Sequence, residues 1–172
     1  MTKDILKQLE EITSEVKRVA KSKPFCPGRF LPNTTVVFVA EMPSSKKKLW
    51  NLNNNFFISK TDKCFVDILN RNGLGGSYIT DIVKTCSKAR RPTKAEINNF
   101  KDVLLREVAV IKPKLVVALG ESAFQILSDA DFKQGIPFKI YKSFVWHPAN
   151  LRYKKRQLVI KRQVKKLAEF CQ

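Results

Sequence analysis

Apolar residues fall along this chain in two alternating rhythms. Up to about residue 22, Ile5, Leu9, Ile12, Val16 and Val19 recur every three to four residues between charged ones, which predicts an amphipathic helix over 1–22. "KSKPFCPGRFLPN" then interrupts the pattern with three prolines and a glycine, the composition of a connecting loop. "TTVVFVA" (Thr34 to Ala40) is a short continuous run of β-branched and apolar residues, as expected of a strand buried on both faces. "YITDIV" (Tyr78 to Val83), "LVVAL" (Leu115 to Leu119) and "SFVW" (Ser143 to Trp146) are three more such runs. Helical spacing returns between them. Phe65, Ile68 and Leu69 mark one helix, and Phe100, Leu104, Val108 and Ile111 mark a second. Thr93 opens that second helix with Glu96 three residues on, a capping box. "ESAFQIL" after Gly120 is a third, and a last one runs from about Arg152 to Phe170 with Ile160, Val164, Leu167 and Cys171 on one stripe.

Strand alternating with helix four times predicts an α/β fold. The expected architecture is a three-layer sandwich: a four-stranded, mainly parallel sheet with right-handed crossovers, flanked by helices. A single domain over 1–172 is expected, its core spanning 34–170, and no internal repeat or low-complexity tract appears. No strand leads into Gly-x-Gly-x-x-Gly or a Walker loop, so no nucleotide cofactor is expected.

Charge changes the picture. Lys and Arg number 33 against 15 Asp and Glu, a net charge of +18 with a pI near 10.0. Such a surface suits a polyanion, because phosphate neutralisation with counterion release supplies affinity. DNA is the expected partner, and a small free substrate would not call for a whole basic face. Cys26, Cys64, Cys86 and Cys171 are widely spaced without a Cys-x-x-Cys pair, which signals neither zinc site nor disulfide framework. The opening segment is charged throughout and no apolar run approaches a membrane span. A monomeric cytoplasmic protein associated with the nucleoid is expected, with no membrane contact.

In open parallel sheets the functional crevice lies at the carboxyl ends of the strands. Four unusual groups follow the four runs there: Glu41 in "AEMPSS", Asp81 in "YITDIV", Gly120 and Ser122 in "GES", and His147, the only histidine of the chain. Taken singly these read as a loop acid, a cap, an ordinary helix start and a core-edge imidazole. Together they converge on one edge of the sheet, and the amides after Gly120 would offer a phosphate site.

The same residues resemble the uracil-DNA glycosylase superfamily, most closely its iron–sulfur-type, family-four branch. "AEMPS" (Ala40 to Ser44) is similar to the branch's Gly-Glu-x-Pro-Gly motif, and "YITDIVK" to its Tyr-x-Thr-Asn-x-Val-Lys segment. "RPTKAEI" and "EVAVIKPKLVVALGESA" follow in the same order and spacing, and "HPANLRY" resembles the closing His-Pro-Ser motif. The resemblance covers about Thr34 to Lys155 and implies a glycosylase fold that flips a base out of DNA and hydrolyses its bond to the sugar. It implies His147 as donor to the departing base and Glu41 as the acid that holds water and faces the sugar's positive charge. Met42, Phe57 (with Phe56 as fallback) and Asp81 would bind the base. Pro43, Ser44, Lys84, Gly120 and Ser122 would contact DNA, with Lys46 to Lys48, Arg90 and Arg91 as further phosphate contacts. Asn150, Leu151 and Arg152 would supply the wedge that offsets unstacking.

Three departures stand beside this. The branch's four-cysteine cluster set is incomplete, so no cluster and no cofactor are expected. Ala40 and Ser44 replace both motif glycines. Asp81 replaces the base-reading asparagine, and an ionised carboxylate only accepts where an amide also donates. The alternative is accordingly a non-catalytic DNA-binding protein that retains the fold.

Overall fold

The computed structural model describes residues 3–21, 23, 25, 26, 28, 36–43, 60–85, 91–129 and 139–171. Helix α1 (Lys3–Ala20) buries Leu9, Ile12, Val16 and Ala20 along one stripe and ends at Lys21, which adopts a left-handed conformation with φ 55°. Strand β1 (Val36–Ala40) is followed by α2 (Lys60–Arg71), β2 (Tyr78–Asp81), α3 (Lys94–Ile111) and β3 (Leu115–Leu119). Then come α4 (Glu121–Ser128), β4 (Ile140–Val145), a short 3-10 turn (Pro148–Arg152) and α5 (Lys154–Cys171).

Among the described residues the strands form one sheet in the order β2-β1-β3-β4, every neighbouring pair parallel. The first three strands are buried throughout, which explains their unbroken apolar character. One face packs against α1, α3 and α4 through Val37, Val39, Val116 and Ala118; the other packs against α2 and α5 through Val36, Phe38, Val117 and Val145. The result is the expected three-layer α/β sandwich. Phe38 meets Phe65 of α2 edge-on at 5.8 Å, a favoured aromatic geometry.

Local signals agree with this architecture. The Thr93–Glu96 capping box at α3 is made in both directions, and Lys112, with φ 50°, closes the same helix by donating its N–H to Val108 O. Strand β4 starts earlier than expected, at Ile140 rather than Ser143, and its pairing with β3 shifts register between Val116 and Ala118. Such an irregularity is typical of an edge strand, and it brings Val145 opposite Leu119.

Chain direction positions the site. The β1 exit leads through α2 to β2 on one side, whereas the β3 exit leads through α4 to β4 on the other. The switch point of the sheet therefore lies between the carboxyl ends of β1 and β3, where a crevice opens in doubly wound folds.

Candidate active site

Glu41 and Ser122 flank that switch point. Pairing continues past the strands, since Ile82 N donates to Ala40 O at 2.8 Å and Val83 N to Glu41 O at 3.1 Å, so the Glu41 backbone is fixed against the β2 exit. Across the crevice, Ser122 Oγ donates to Glu41 Oε1 at 2.7 Å in a partly buried setting. Ser122 is thus not the helix cap; Gly120 occupies the cap position without a side-chain hydrogen bond. Gly120 has φ 98°, a conformation open to glycine, and a Cβ there would lie 3.5 Å from His147 Cβ.

His147 follows β4 and caps the 3-10 turn. Its Nδ1 accepts from Ala149 N at 3.2 Å, and its carbonyl accepts from Asn150 N at 2.9 Å and Asn150 Nδ2 at 3.1 Å. A ring nitrogen that accepts carries no proton, so this geometry describes a neutral imidazole protonated on Nε2. Gln163 of α5 braces the approach: Trp146 N donates to its Oε1 at 2.9 Å, and its Nε2 donates to Phe144 O at 3.2 Å. One side-chain amide thereby satisfies the outer edge of β4 as a further strand would. Arg156 donates to Asn150 Oδ1 and lies over the rings of Trp146 (5.1 Å) and Tyr153 (4.9 Å), and Arg152 also lies over the Tyr153 ring at 5.0 Å.

Asp81 ends β2, buried at 5 % exposure, with its Oδ2 shielded from solvent. Met42 is half-buried against the α1–α3 core, Pro43 is buried, and Asn150 is half-buried. Arg91 and Arg152 are exposed. Ser44, Lys46 to Lys48, Phe56, Phe57, Cys86 and Arg90 lie outside the described residues.

Two expectations need correction. Lys84 is no surface phosphate contact: it is fully buried, its Nζ 2.6 Å from Glu107 Oε2 and bonded to Thr80 Oγ1, which itself donates to Glu107 at 2.8 Å. A solvated ammonium would leave Glu107, 2 % exposed, uncompensated in the core. Leu151 is no wedge, because it is 2 % exposed and packs with the α2–α5 core. The 3-10 turn rotates it inward and leaves Arg152 outward.

The three described cysteines, Cys26, Cys64 and Cys171, are not gathered at one place as the thiolates of a cluster are. Cys26 N donates to Lys84 O at 2.6 Å beside the β2 exit, and its neighbour Phe25 packs on the α1–α3 face. Cys64 and Cys171 pack on the opposite face, where burial raises the Cys171 thiol, partly countered by the Lys114 ammonium. Among the described residues no three His, Cys, Asp or Glu side chains gather as a metal site. An open groove of about 750 Å³ lies elsewhere, between α1 and α3, and none of the expected site residues lines it.

The model of the uracil DNA glycosylase superfamily matches residues 27–170. The chain belongs to that superfamily. By family it is a glycosylase-type hydrolase. It is 26% identical to a type-4 uracil-DNA glycosylase of Archaeoglobus fulgidus, over 96% of this chain and 94% of that protein. A type-4 uracil-DNA glycosylase of Sulfurisphaera tokodaii is likewise 26% identical, over 88% of this chain and 71% of that protein. A type-5 uracil-DNA glycosylase of Pyrobaculum aerophilum is 32% identical over 48% of this chain and 41% of that protein. Among the described residues no helix is long and apolar enough to cross a membrane.

Sequence reasoning missed Gln163 and the partner of Lys84. Glu107 carried a signal, for it interrupts the apolar stripe Phe100, Leu104, Val108, Ile111, all buried. An acid on a buried helix stripe asks for a buried cation. Gln163 carried none, since a glutamine on an amphipathic helix is ordinary.

Proposed function

We propose that this chain is a DNA glycosylase of base-excision repair, hydrolysing the bond between deoxyribose and a flipped-out uracil or related damaged base. The observation that carries the reading is His147, whose Nδ1 accepts from Ala149 N beside the crevice bridged by Ser122 and Glu41. The ring proton on Nε2 is then a neutral hydrogen-bond donor for a base carbonyl. As the glycosidic bond breaks, its electron pair leaves with the base, and a preorganised donor stabilises the anion that develops on that carbonyl. Glu41, anchored by Ser122, faces the positive sugar and orients the water whose oxygen bonds to the anomeric carbon. The proton released from that water passes to Glu41 or to the departing base.

Asp81 is the proposed base reader, with Met42 beside it and Phe57 as the stacking ring. Asn150, Arg152 and the amides after Gly120 are the proposed DNA contacts, with Arg91. An ionised Asp81 would accept from an amino-bearing base, whereas uracil presents a carbonyl at the matching edge. In that form Asp81 would favour a base other than uracil, and it is also the observation behind the second reading, a non-catalytic DNA-binding protein of the same fold.

The test is single-turnover incubation with duplexes carrying uracil, hypoxanthine, xanthine or mismatched bases, followed by alkaline cleavage of abasic sites. His147→Ala is expected to lose roughly two to three orders of magnitude in rate, the scale of one anion-stabilising donor, with DNA affinity nearly unchanged. Absence of abasic product from every substrate, with DNA binding intact, leaves the non-catalytic reading.

A further inference from the structure

Helix α5 starts two residues after the 3-10 turn that carries Asn150 and Arg152, and its outward surface is strongly cationic. Lys154, Lys161 and Lys165 form one row and Lys155, Arg162 and Lys166 a second, all exposed, while Glu169 is the acid of the helix. Residues four apart on a helix are neighbours, so Lys161 faces Lys165 and Arg162 faces Lys166, which weakens the helix. Its first turn holds Lys154, Lys155 and Arg156 and no acid, at the helix end where the backbone dipole disfavours cations. Among the described residues none of these cations pairs with a carboxylate. Local electrostatics that oppose the local structure call for a compensating anion outside the chain.

The apolar stripe of α5, Ile160, Val164 and Leu167, is committed to the core. A helix lying in a lipid surface needs that stripe free to insert. The exposed Leu158 and Val159 are instead interleaved with the cations, which suits the sugar–phosphate edge of a nucleic acid. We propose that α5 is a second nucleic-acid surface, a phosphate track running from the base pocket along DNA that flanks the lesion. The inference rests on the proposed glycosylase reading for its partner, and its test is separable from that reading. Eighteen residues span about 27 Å, the axial length of roughly eight base pairs.

The experiment compares the native chain with a variant carrying Lys161→Gln, Arg162→Gln, Lys165→Gln and Lys166→Gln. Glutamine keeps good helix propensity, and thermal melting checks that the variant folds. Anisotropy titrations use undamaged duplexes of about 12 and about 30 base pairs over a range of salt. On the long duplex the log–log salt slope of the variant is expected to fall by up to about 3.6, at roughly 0.9 per phosphate contact. Base release from a short damaged duplex should stay within about twofold. Equal slopes on the long duplex would overturn the track while leaving the glycosylase reading intact. A reduced slope with no base release from any substrate would sink the glycosylase reading and leave the track. Binding to phosphatidylserine vesicles that is lost in the variant, with DNA slopes unchanged, would assign the helix to lipid and overturn the proposal.

Discussion

Replacing Lys84 by methionine keeps the apolar stem and removes the ammonium, leaving Glu107 without its partner. The side chains of the pair are 0% and 3% exposed, and only Thr80 Oγ1 remains to compensate the carboxylate. Breaking one partner of a buried ion pair costs about 3–5 kcal/mol. For a chain of this size each kcal/mol lowers the melting temperature by about 2–4 °C, so a drop of roughly 6–20 °C is expected. Glu107→Leu added to Lys84→Met removes both charges and should recover most of that loss, since a matched apolar pair is often neutral or better. The assay is urea unfolding of the native chain, both single variants and the double, closed as a double-mutant cycle. A phosphate-binding Lys84 gives the opposite pattern: stability within about 1 kcal/mol of native and a DNA salt slope shallower by about one. That result would refute the buried-pair argument.

Asp81→Asn restores an amide that both donates and accepts, and uracil release at neutral pH should increase in single-turnover assays; no gain would remove Asp81 from the role of base reader. Ser122→Ala removes the hydrogen bond to Glu41, and with about 1.5–3 kcal/mol at stake for a bond to a charged group, the rate of base release should fall roughly 10- to 100-fold while duplex affinity holds. Gln163→Leu leaves Phe144 O and Trp146 N of the β4 edge unsatisfied and loosens the approach to His147. Base release should fall without loss of duplex affinity, and Gln163→Glu, which keeps only the acceptor for Trp146 N, should be intermediate.

The fold was legible because its signals are local and redundant. Runs such as "VVFVA" and "LVVAL" are apolar since both faces of a parallel strand are covered, and Thr93 with Glu96 announces α3 before any partner is known. The edge strand was the least well bounded: Ile140 and Tyr141 are only half-buried, so their apolar signal is diluted. At the site, chain order placed Glu41, Asp81, Gly120 and His147 at one sheet edge, because successive parallel strands all end on the same side. What it could not supply was side-chain direction. Lys84 lies three residues past Asp81 and points into the core, and Leu151 lies between Asn150 and Arg152 yet turns inward, which follows from the 3-10 geometry and not from composition.

On the proposed reading, affinity and chemistry occupy different parts of the surface, and electrostatics gives the reason. Glu41 and Asp81 sit at the crevice that must admit a strand of phosphates. A carboxylate about 10 Å from a phosphate repels it by about 0.4 kcal/mol in water, before screening. Several phosphates within reach of two acids would impose a cost of a few such increments. Cations placed among the acids would offset that cost but would also neutralise the negative environment that the oxocarbenium-like sugar requires. Among the described residues, exposed cations on Arg152 and the rows of α5 supply attraction without standing between Glu41 and the sugar. Screening over about 8–10 Å weakens the coupling of the more distant α5 cations to those acids. Such a division frees the pocket to change. On that reading a substitution such as the aspartate at position 81 would alter which base is read while the affinity for DNA, held largely by the exposed cations of α5, would stay nearly constant.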